Sequence, residues 1–215
     1  MILNEVFFSI QGEGLNVGQQ AIFVRFGNCN LKCSWCDTKY TWDPKVRDNF
    51  DAPLPEIFQK IRAESTQHNC KHLVITGGEP MLQQDVISAI HSEFPDYYIE
   101  VETNGSQEVR CADAVNLFTV SCKTSNSGNA PYELKTRGKK CVYKFVVCSE
   151  GDFAEIEKII ARYSLPPDKI FLMPEGVTRD ELLGRHRFVA EQCEKKGYRF
   201  TTRLHVLTWG GERGT

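Results

Sequence analysis

Strand-like apolar runs alternate with amphipathic helices along most of this sequence, and this alternation restricts the fold more than any other feature. Runs rich in β-branched and aromatic residues predict strands at 21–26, 72–76, 97–102, 114–121, 140–147, 169–172 and 198–204. Helical periodicity predicts helices at 53–65, 81–93, 152–164 and 178–196. The alternation predicts a mainly parallel sheet with right-handed crossovers. Because the helices are too few for a closed eight-fold barrel, we expect one α/β domain over 1–215, an open, partial TIM-like barrel.

Composition and charge argue against several classes of function. The 215 residues carry a formal net charge of -2 and no long run of Lys or Arg, so we expect no nucleic-acid partner. No apolar stretch reaches the ~18 residues that a membrane span needs. The segment Met1–Glu5 lacks the basic start of a signal peptide. We therefore expect a cytoplasmic protein without membrane contact.

Polar or glycine-rich clusters follow most of the predicted strands at the point where each strand ends. They are Gly77-Gly78-Glu79-Pro80, Thr103-Asn104-Gly105, Ser121-Cys122-Lys123 and Met173-Pro174-Glu175-Gly176. In parallel sheets, ligands bind at the carboxyl ends of the strands. The open backbone at Gly77-Gly78, with the Glu79 carboxylate, suits the amino-acid group of a ligand. On their own, the same residues would equally form a plain strand-to-helix turn.

Three cysteines, Cys29, Cys33 and Cys36, lie in the loop that follows strand 21–26, at C-x3-C-x2-C spacing. Three thiolates on one loop suit three irons of a 4Fe–4S cluster and leave the fourth iron open to a chelating small molecule. We expect this molecule to be S-adenosylmethionine (SAM), which the cluster cleaves reductively. The spacing alone also allows a structural zinc site with a fourth Cys or His ligand. The other six of the nine cysteines are scattered, which predicts buried, reduced thiols.

Two further features each allow two interpretations. Arg25 interrupts an apolar strand, so its guanidinium either pairs with a protein carboxylate or faces a cavity that receives an anion. The segment Gln11-Gly12-Glu13-Gly14 predicts a turn. This turn is either an ordinary connection or a loop whose exposed backbone approaches a planar ligand.

Together these motifs resemble the radical SAM superfamily and, within it, the 7-carboxy-7-deazaguanine synthase family. The narrower resemblance lies in Phe8-Ser9-Ile10-Gln11-Gly12-Glu13-Gly14, Phe23-Val24-Arg25-Phe26, Cys36-Asp37-Thr38, Thr76-Gly77-Gly78-Glu79-Pro80, Glu102-Thr103-Asn104-Gly105 and Arg203-Leu204-His205. These motifs extend over nearly the whole chain. The resemblance implies the open barrel of radical SAM enzymes, with a 4Fe–4S cluster, SAM and Mg²⁺ as cofactors.

The resemblance also implies a reaction, the contraction of 6-carboxy-5,6,7,8-tetrahydropterin to 7-carboxy-7-deazaguanine with release of ammonia. In the family, SAM yields a 5′-deoxyadenosyl radical that takes a hydrogen from C6 of the pterin and later receives it back. The implied pathway is the biosynthesis of queuosine or another deazapurine. Further implications are a flavodoxin or ferredoxin as electron donor and a homodimer.

Roles of single residues follow from the same resemblance. Glu13 and His205 are implied to hydrogen-bond the pterin or to carry its proton. Thr38 is implied as a magnesium ligand, completed by water and substrate, beside the cluster ligands Cys29, Cys33 and Cys36. The implied cofactor-binding residues are Gly78, Glu79, Asn104, Ser121, Cys122, Lys123, Met173, Pro174, Glu175 and Gly176. The implied substrate-binding residues are Ile10, Gln11, Gly12, Arg25, Thr76 and Thr215, with Arg25 on the substrate carboxylate.

Two residues depart from the family pattern, and two other functions compete with it. Cys122 stands where proline is common and Met173 where glutamine is common, changes that keep backbone contacts to SAM. A glycyl-radical-enzyme activase would share the cysteines but offer an open groove to a protein, instead of a buried pocket around Arg25 and Gln11. A zinc-binding module would use the cysteines without catalysis.

Overall fold

The computed structural model describes residues 1–215 and contains a nine-stranded sheet. The strands are β1 (Ile2–Ile10), β2 (Gln20–Phe26), β3 (Phe50–Asp51), β4 (His72–Gly77), β5 (Tyr98–Thr103), β6 (Leu117–Cys122), β7 (Cys141–Val147), β8 (Ile170–Pro174) and β9 (Arg199–Phe200). Their spatial order is β3-β1-β2-β4-β5-β6-β7-β8-β9. From β2 through β4 to β9 all neighbours are parallel, whereas β1 pairs antiparallel with β2 and β3. The prediction of an open, mainly parallel sheet is confirmed.

Five helices accompany the sheet. They are α1 (Leu54–His68), α2 (Gln84–Glu93), α3 (Asp152–Tyr163), α4 (Arg179–Lys196) and α5 (Leu204–Trp209). The first four confirm the predicted helices to within a few residues. Thr178 and Glu181 form a capping box at the start of α4, and Gly197 ends it at a φ of 69°. None of the helices combines the length and the apolar character that crossing a membrane requires.

The predictions at the two ends of the chain need correction. The sequence analysis assigned no strand before residue 21, but Ile2–Ile10 forms β1, in which the polar residues Asn4 and Glu5 interrupt the apolar run. The strand predicted over 198–204 is reduced to Arg199–Phe200. The chain turns at Arg203 and continues as α5. His205 therefore lies on a short helix and not on a strand.

The sheet separates an apolar outer layer from a more polar interior. Strand residues such as Ile75 and Val101 pack with helix residues such as Ile57 in a cluster of 34 buried residues. Since successive side chains of a strand point to opposite faces, Glu100 and Glu102 point inward from β5 while its apolar neighbours point to the helices. The cavity described below lies on this inner side, at the carboxyl ends of the strands.

Candidate active site

A cavity of about 210 Å³ opens at the carboxyl ends of the parallel strands. Its wall contains most of the residues that the sequence analysis assigned to a site. These are Ile10, Gln11, Gly12, Glu13, Arg25, Cys29, Cys33, Cys36, Thr38, Thr76, Gly78, Asn104, Ser121, Lys123, Met173, Glu175, Gly176, His205 and Thr215. The predicted site residues outside this wall are Glu79, Cys122 and Pro174. Segments far apart in the sequence thus meet in one place, as the strand-end clusters predicted.

The three cysteines of the loop face this cavity as free thiols. Burial raises the pKa of Cys29 to about 11, so iron must displace a proton when it binds. No three His, Cys, Asp or Glu side chains converge closely enough to hold a single metal ion. The ligands of a cluster bind different irons and therefore stand further apart. Three soft thiolates in this arrangement fit a 4Fe–4S cluster better than a structural zinc ion.

The Gly77-Gly78 turn lies directly against the start of the cysteine loop. Gly78 N donates to Phe26 O at 3.0 Å, and Glu79 N donates to Asn28 O at 2.8 Å. A Cβ on Gly77 would lie 2.0 Å from Phe26 O, and a Cβ on Gly78 would lie 2.0 Å from Asn28 O. Glycine is therefore required at both positions, and the turn exposes backbone to the cavity beside the first cysteine.

Glu79 has a different place from the one predicted for it. Its side chain is fully buried, and its carboxylate accepts hydrogen bonds from Met81 N (3.0 Å), Thr103 Oγ1 (2.7 Å) and Asn104 N (2.7 Å). Burial raises the pKa of Glu79 despite these hydrogen bonds. The carboxylate ties the end of β5 to the glycine turn and holds Asn104 in the cavity wall, so Glu79 positions the site without lining it.

Cys122 and Pro174 also lie outside the cavity wall. Cys122 is 3% exposed and belongs to the apolar core, where burial raises the pKa of its thiol to about 12. On the cavity side of the same strand end, Lys123 Nζ donates to Ser121 Oγ at 2.6 Å and lies 5.0 Å from the centroid of the Trp35 ring. The predicted role of Cys122 and Pro174 in SAM binding therefore stays a prediction that the cavity wall does not support.

A buried charge network surrounds Glu13. Its carboxylate accepts from Lys144 Nζ and, at 3.0 Å, from Arg203 Nε, while Arg203 Nη2 donates to Asp37. Burial alone would raise the pKa of Glu13, but the charges of Lys144 and Arg203 outweigh it and hold this pKa well below its ordinary value. Burial opposes the charged form of Lys144, but the carboxylates of Glu13 and Glu102 keep the pKa of Lys144 above its usual value. Glu13 therefore stays ionised and is a poor proton carrier near neutral pH.

Glu102 forms a second polar centre in the cavity wall. It accepts hydrogen bonds from Gln11 Nε2 at 3.0 Å and from Thr76 Oγ1 at 2.8 Å. Burial raises the pKa of Glu102, and the charge of Lys144 partly offsets this. Gln11 and Thr76, both predicted as substrate contacts, therefore also fix the orientation of this carboxylate.

Arg25 combines the two alternatives that its sequence position left open. Its Nε donates to Glu5 Oε1 at 2.7 Å, and Glu5 lies directly opposite Arg25 in the β1–β2 register. The guanidinium also lines the cavity, and its two terminal nitrogens make no hydrogen bond within the chain. Arg25 is thus held from one side by a carboxylate and retains free donors for an anion.

His205 and Thr215 reach the cavity from the last segment of the chain. A Cβ on Gly12 would lie 2.1 Å from His205 Nδ1, so the loop and the imidazole are in close contact. Burial lowers the pKa of His205, although the Glu13 carboxylate acts in the opposite direction. The imidazole is consequently neutral near pH 7 and can accept a proton.

Sequence reasoning missed several charged residues of the site. Lys144 lies within an apolar strand, and the only signal for its role was the same one that singled out Arg25, a cation interrupting a buried run. Glu102, Asp37 and Arg203 lay in motifs of the family resemblance but received no role. The pairing of Lys144 and Arg203 with Glu13, and of Arg203 with Asp37, required the fold, because it joins residues more than a hundred positions apart.

Comparisons with known proteins agree with this geometry. Residues 10–123 match the family model described as a 4Fe-4S single cluster domain. The 7-carboxy-7-deazaguanine synthase of Pyrobaculum aerophilum is 35% identical, covering 98% of this chain and 95% of its own. That of Halobacterium salinarum is 32% identical, covering 96% and 90%. The crystal structure of QueE from Escherichia coli superposes with a TM-score of 0.71 at 28% identity, covering 95% and 94%.

An open parallel barrel with three cysteine thiols beside a glycine turn at its carboxyl edge defines a radical SAM enzyme, whose cofactors are a 4Fe–4S cluster and SAM. Its substrate is a small molecule. The chain belongs to the 7-carboxy-7-deazaguanine synthase family. Neither an activase acting on a protein nor a zinc module is favoured.

Proposed function

We propose that this enzyme converts 6-carboxy-5,6,7,8-tetrahydropterin into 7-carboxy-7-deazaguanine and ammonia. The product equals the substrate minus one ammonia, so the reaction needs no net oxidant or reductant. Cys29, Cys33 and Cys36 would hold the cluster, and the cluster with SAM would supply the radical chemistry that starts the rearrangement. The protein contributes binding, orientation and the handling of protons.

One observation supports this proposal most strongly, the presence of the cluster thiols and a set of buried charged side chains in the same cavity. A carboxylated pterin carries a carboxylate, several N–H donors and ring acceptors. The cavity offers free guanidinium donors on Arg25 and carboxylate acceptors on Glu102 and Glu13. This complement of charges suits a small polar bicycle.

Arg25 is proposed to bind the substrate carboxylate through its terminal nitrogens. Glu5 orients the guanidinium through Nε and neutralises part of its charge. The remaining two parallel N–H donors match the geometry of a carboxylate. Ile10, Gln11, Gly12 and Thr76 complete the proposed substrate wall, with Glu102 accepting hydrogen bonds from the pterin.

His205 is proposed as the group that holds the proton lost during rearrangement. Its imidazole is neutral near pH 7 and faces the cavity, so a ring nitrogen can accept a proton. Glu13, in contrast, is proposed to stay ionised and to accept hydrogen bonds from the pterin while it orients Lys144 and Arg203. Thr215 is proposed as a further substrate contact.

SAM is proposed to bind along the strand ends next to the cysteines. Gly78, Asn104, Ser121 and Lys123 would hold its amino-acid and ribose groups, and Met173, Glu175 and Gly176 its adenine. Trp35 lies between two cluster ligands and also lines the cavity, where it would shield SAM from water. We propose Thr38 as the protein ligand of a Mg²⁺ ion that water and substrate complete.

The partners and setting of the enzyme are also proposals. We propose a flavodoxin or ferredoxin as electron donor, a homodimer as the working assembly and a single domain over 1–215, which the continuous sheet supports. The nine free cysteines, five of them buried outside the cluster loop and Cys148 half-buried, favour a reducing compartment such as the cytoplasm.

The direct test is anaerobic incubation of the iron- and sulfide-reconstituted enzyme with SAM, reductant, Mg²⁺ and the carboxy-tetrahydropterin. Mass spectrometry should detect 7-carboxy-7-deazaguanine. Arg25→Ala should lose at least about a hundredfold in turnover, as expected for misplaced substrate, while slow cleavage of SAM continues. Arg187→Ala is the matched control, since the Arg187 side chain is 90% exposed, and it should keep full turnover. Loss of the cluster in Arg25→Ala would refute the proposed role of Arg25.

A further inference from the structure

A short segment after β6 supports the cysteine loop from the protein side. Ser34 N donates to Ser127 O at 2.9 Å, and Trp35 Nε1 donates to Asn126 Oδ1 at 3.2 Å. Lys32 N donates to Asn129 Oδ1 at 2.9 Å. The residues between the cluster ligands are therefore fixed by the segment 126–129, which the sequence analysis did not single out.

The hydrogen bonds of Asn129 determine the orientation of its side-chain amide. Because Oδ1 accepts from Lys32 N, the amide nitrogen must point the other way. There Nδ2 donates to Cys33 Sγ and to Ser127 Oγ, both at 3.1 Å. Ser127 donates its own hydroxyl hydrogen to Thr124 O at 2.7 Å, so its oxygen is available as the acceptor. The network leaves one consistent arrangement, in which Asn129 donates to the cysteine sulfur.

Each of the other two ligand sulfurs also accepts one N–H hydrogen bond. Leu31 N donates to Cys29 Sγ at 3.4 Å, and Trp42 Nε1 donates to Cys36 Sγ at 3.3 Å. The donor to Cys29 belongs to the backbone of the loop itself. The donors to Cys33 and Cys36 are side chains outside the ligand motif, so they can be removed by substitution.

We propose that Asn129 and Trp42 raise the reduction potential of the cluster by donating N–H hydrogen bonds to Cys33 and Cys36. Reduction adds one electron and no proton to the cluster, which makes the ligand sulfurs more negative. An N–H donor therefore stabilises the reduced form more than the oxidised form. Both residues are positioning and tuning residues, because they act through the ligand sulfurs. The proposal concerns the cluster alone and does not depend on the identity of the substrate.

The test is a redox titration of the reconstituted enzyme, monitored by electron paramagnetic resonance of the reduced cluster, without SAM or substrate. Asn129→Leu and Trp42→Phe should each lower the equilibrium constant for reduction about tenfold, which is ~59 mV for a one-electron couple. Because the two donors bind different sulfurs, the double variant should lower it about a hundredfold. Trp209→Phe is the control, since Trp209 is 37% exposed and distant in sequence from the loop; it should leave the potential unchanged.

Iron and sulfide content, together with the unfolding temperature, separate tuning from a merely structural role. Both variants are expected to hold a full cluster. A full cluster with an unchanged potential in Trp42→Phe and Asn129→Leu would overturn the proposal. If Asn129→Leu assembled no cluster, Asn129→Ser would be measured in its place. An unchanged reduction potential in Asn129→Ser and in Trp42→Phe would then overturn the proposal. Product formation plays no part in this test, so failure of the proposed reaction would not affect it.

Discussion

Lys144 offers the sharpest test of the buried charge network. The variant Lys144→Met keeps much of the side-chain volume and removes the ammonium that pairs with Glu13. The side chains of Lys144 and Glu13 are only 6% and 12% exposed, so Glu13 would lose a partner that water cannot replace. Breaking a buried ion pair costs roughly 3–5 kcal/mol. Since Arg203 Nε remains 3.0 Å from Glu13, we expect a loss of unfolding free energy at the lower end of this range, about 3 kcal/mol. This corresponds to a decrease of ~6–12 °C in the unfolding temperature.

The pH dependence of this loss has a definite sign. The pKa of Glu13 is lower in the folded protein than in the unfolded chain, so the pair stabilises the fold fully above the unfolded pKa of about 4.5. This stabilisation is lost progressively as the pH falls below that value toward the folded pKa. The difference in unfolding free energy between parent and Lys144→Met should therefore be largest near neutral pH and should shrink on acidification below pH ~4.5.

The assay is urea unfolding under anaerobic conditions, with cluster content matched between the proteins. Lys60→Met is the control, because its pair with Glu56 is 44% and 41% exposed and should contribute at most about 0.5 kcal/mol. Adding Glu13→Gln to Lys144→Met should recover part of the loss, since the uncompensated charge disappears. Equal, small effects of Lys144→Met and Lys60→Met on the unfolding free energy would refute the reasoning. A difference between parent and Lys144→Met that increases below pH ~4.5 would refute it as well.

The remaining predictions concern close contacts near the site. Gly12→Ala should reduce turnover about a hundredfold through displacement of His205, with little change in unfolding temperature because the imidazole can rotate away; unchanged turnover would contradict this contact. Gly184→Ala is its control, since a Cβ there meets no atom within 4 Å, and it should stabilise α4 by up to ~1 kcal/mol. Glu79→Gln should lower the free energy of unfolding, measured in urea, by about 1–3 kcal/mol. The reason is that the new amide hydrogens face the donors of Met81, Thr103 and Asn104. Equal stability of the two proteins would show that the Glu79 carboxylate does not hold this turn.

Much of the fold could be predicted because the pattern is local. The alternation of apolar runs and amphipathic segments located the six central strands and four helices within a few residues. The predicted meeting of strand-end clusters needed only the general geometry of parallel sheets. β1 was missed because Glu5, which pairs across the strands with Arg25, interrupts its apolar pattern.

What could not be predicted depends on contacts between distant segments. No local signal places Lys144 and Arg203 on Glu13, or directs the Glu79 carboxylate to Thr103 and Asn104 rather than into the cavity. The strand predicted at 198–204 was too long because the chain turns at Arg203, whose guanidinium is held by Glu13 and Asp37. In this segment, the buried ion pairs of Arg203 override the local propensity to form a strand.

The central claim is that one cavity combines a cluster-bound SAM with a carboxylated pterin. Its most direct test is the ratio of products in the anaerobic reaction, with 7-carboxy-7-deazaguanine, ammonia and 5′-deoxyadenosine measured together. The account predicts deazaguanine and ammonia in equal amounts, both in large excess over 5′-deoxyadenosine, and none of the three from Cys33→Ala. Cleavage of SAM without any deazaguanine in the parent enzyme, or deazaguanine formation by Cys33→Ala, would contradict it.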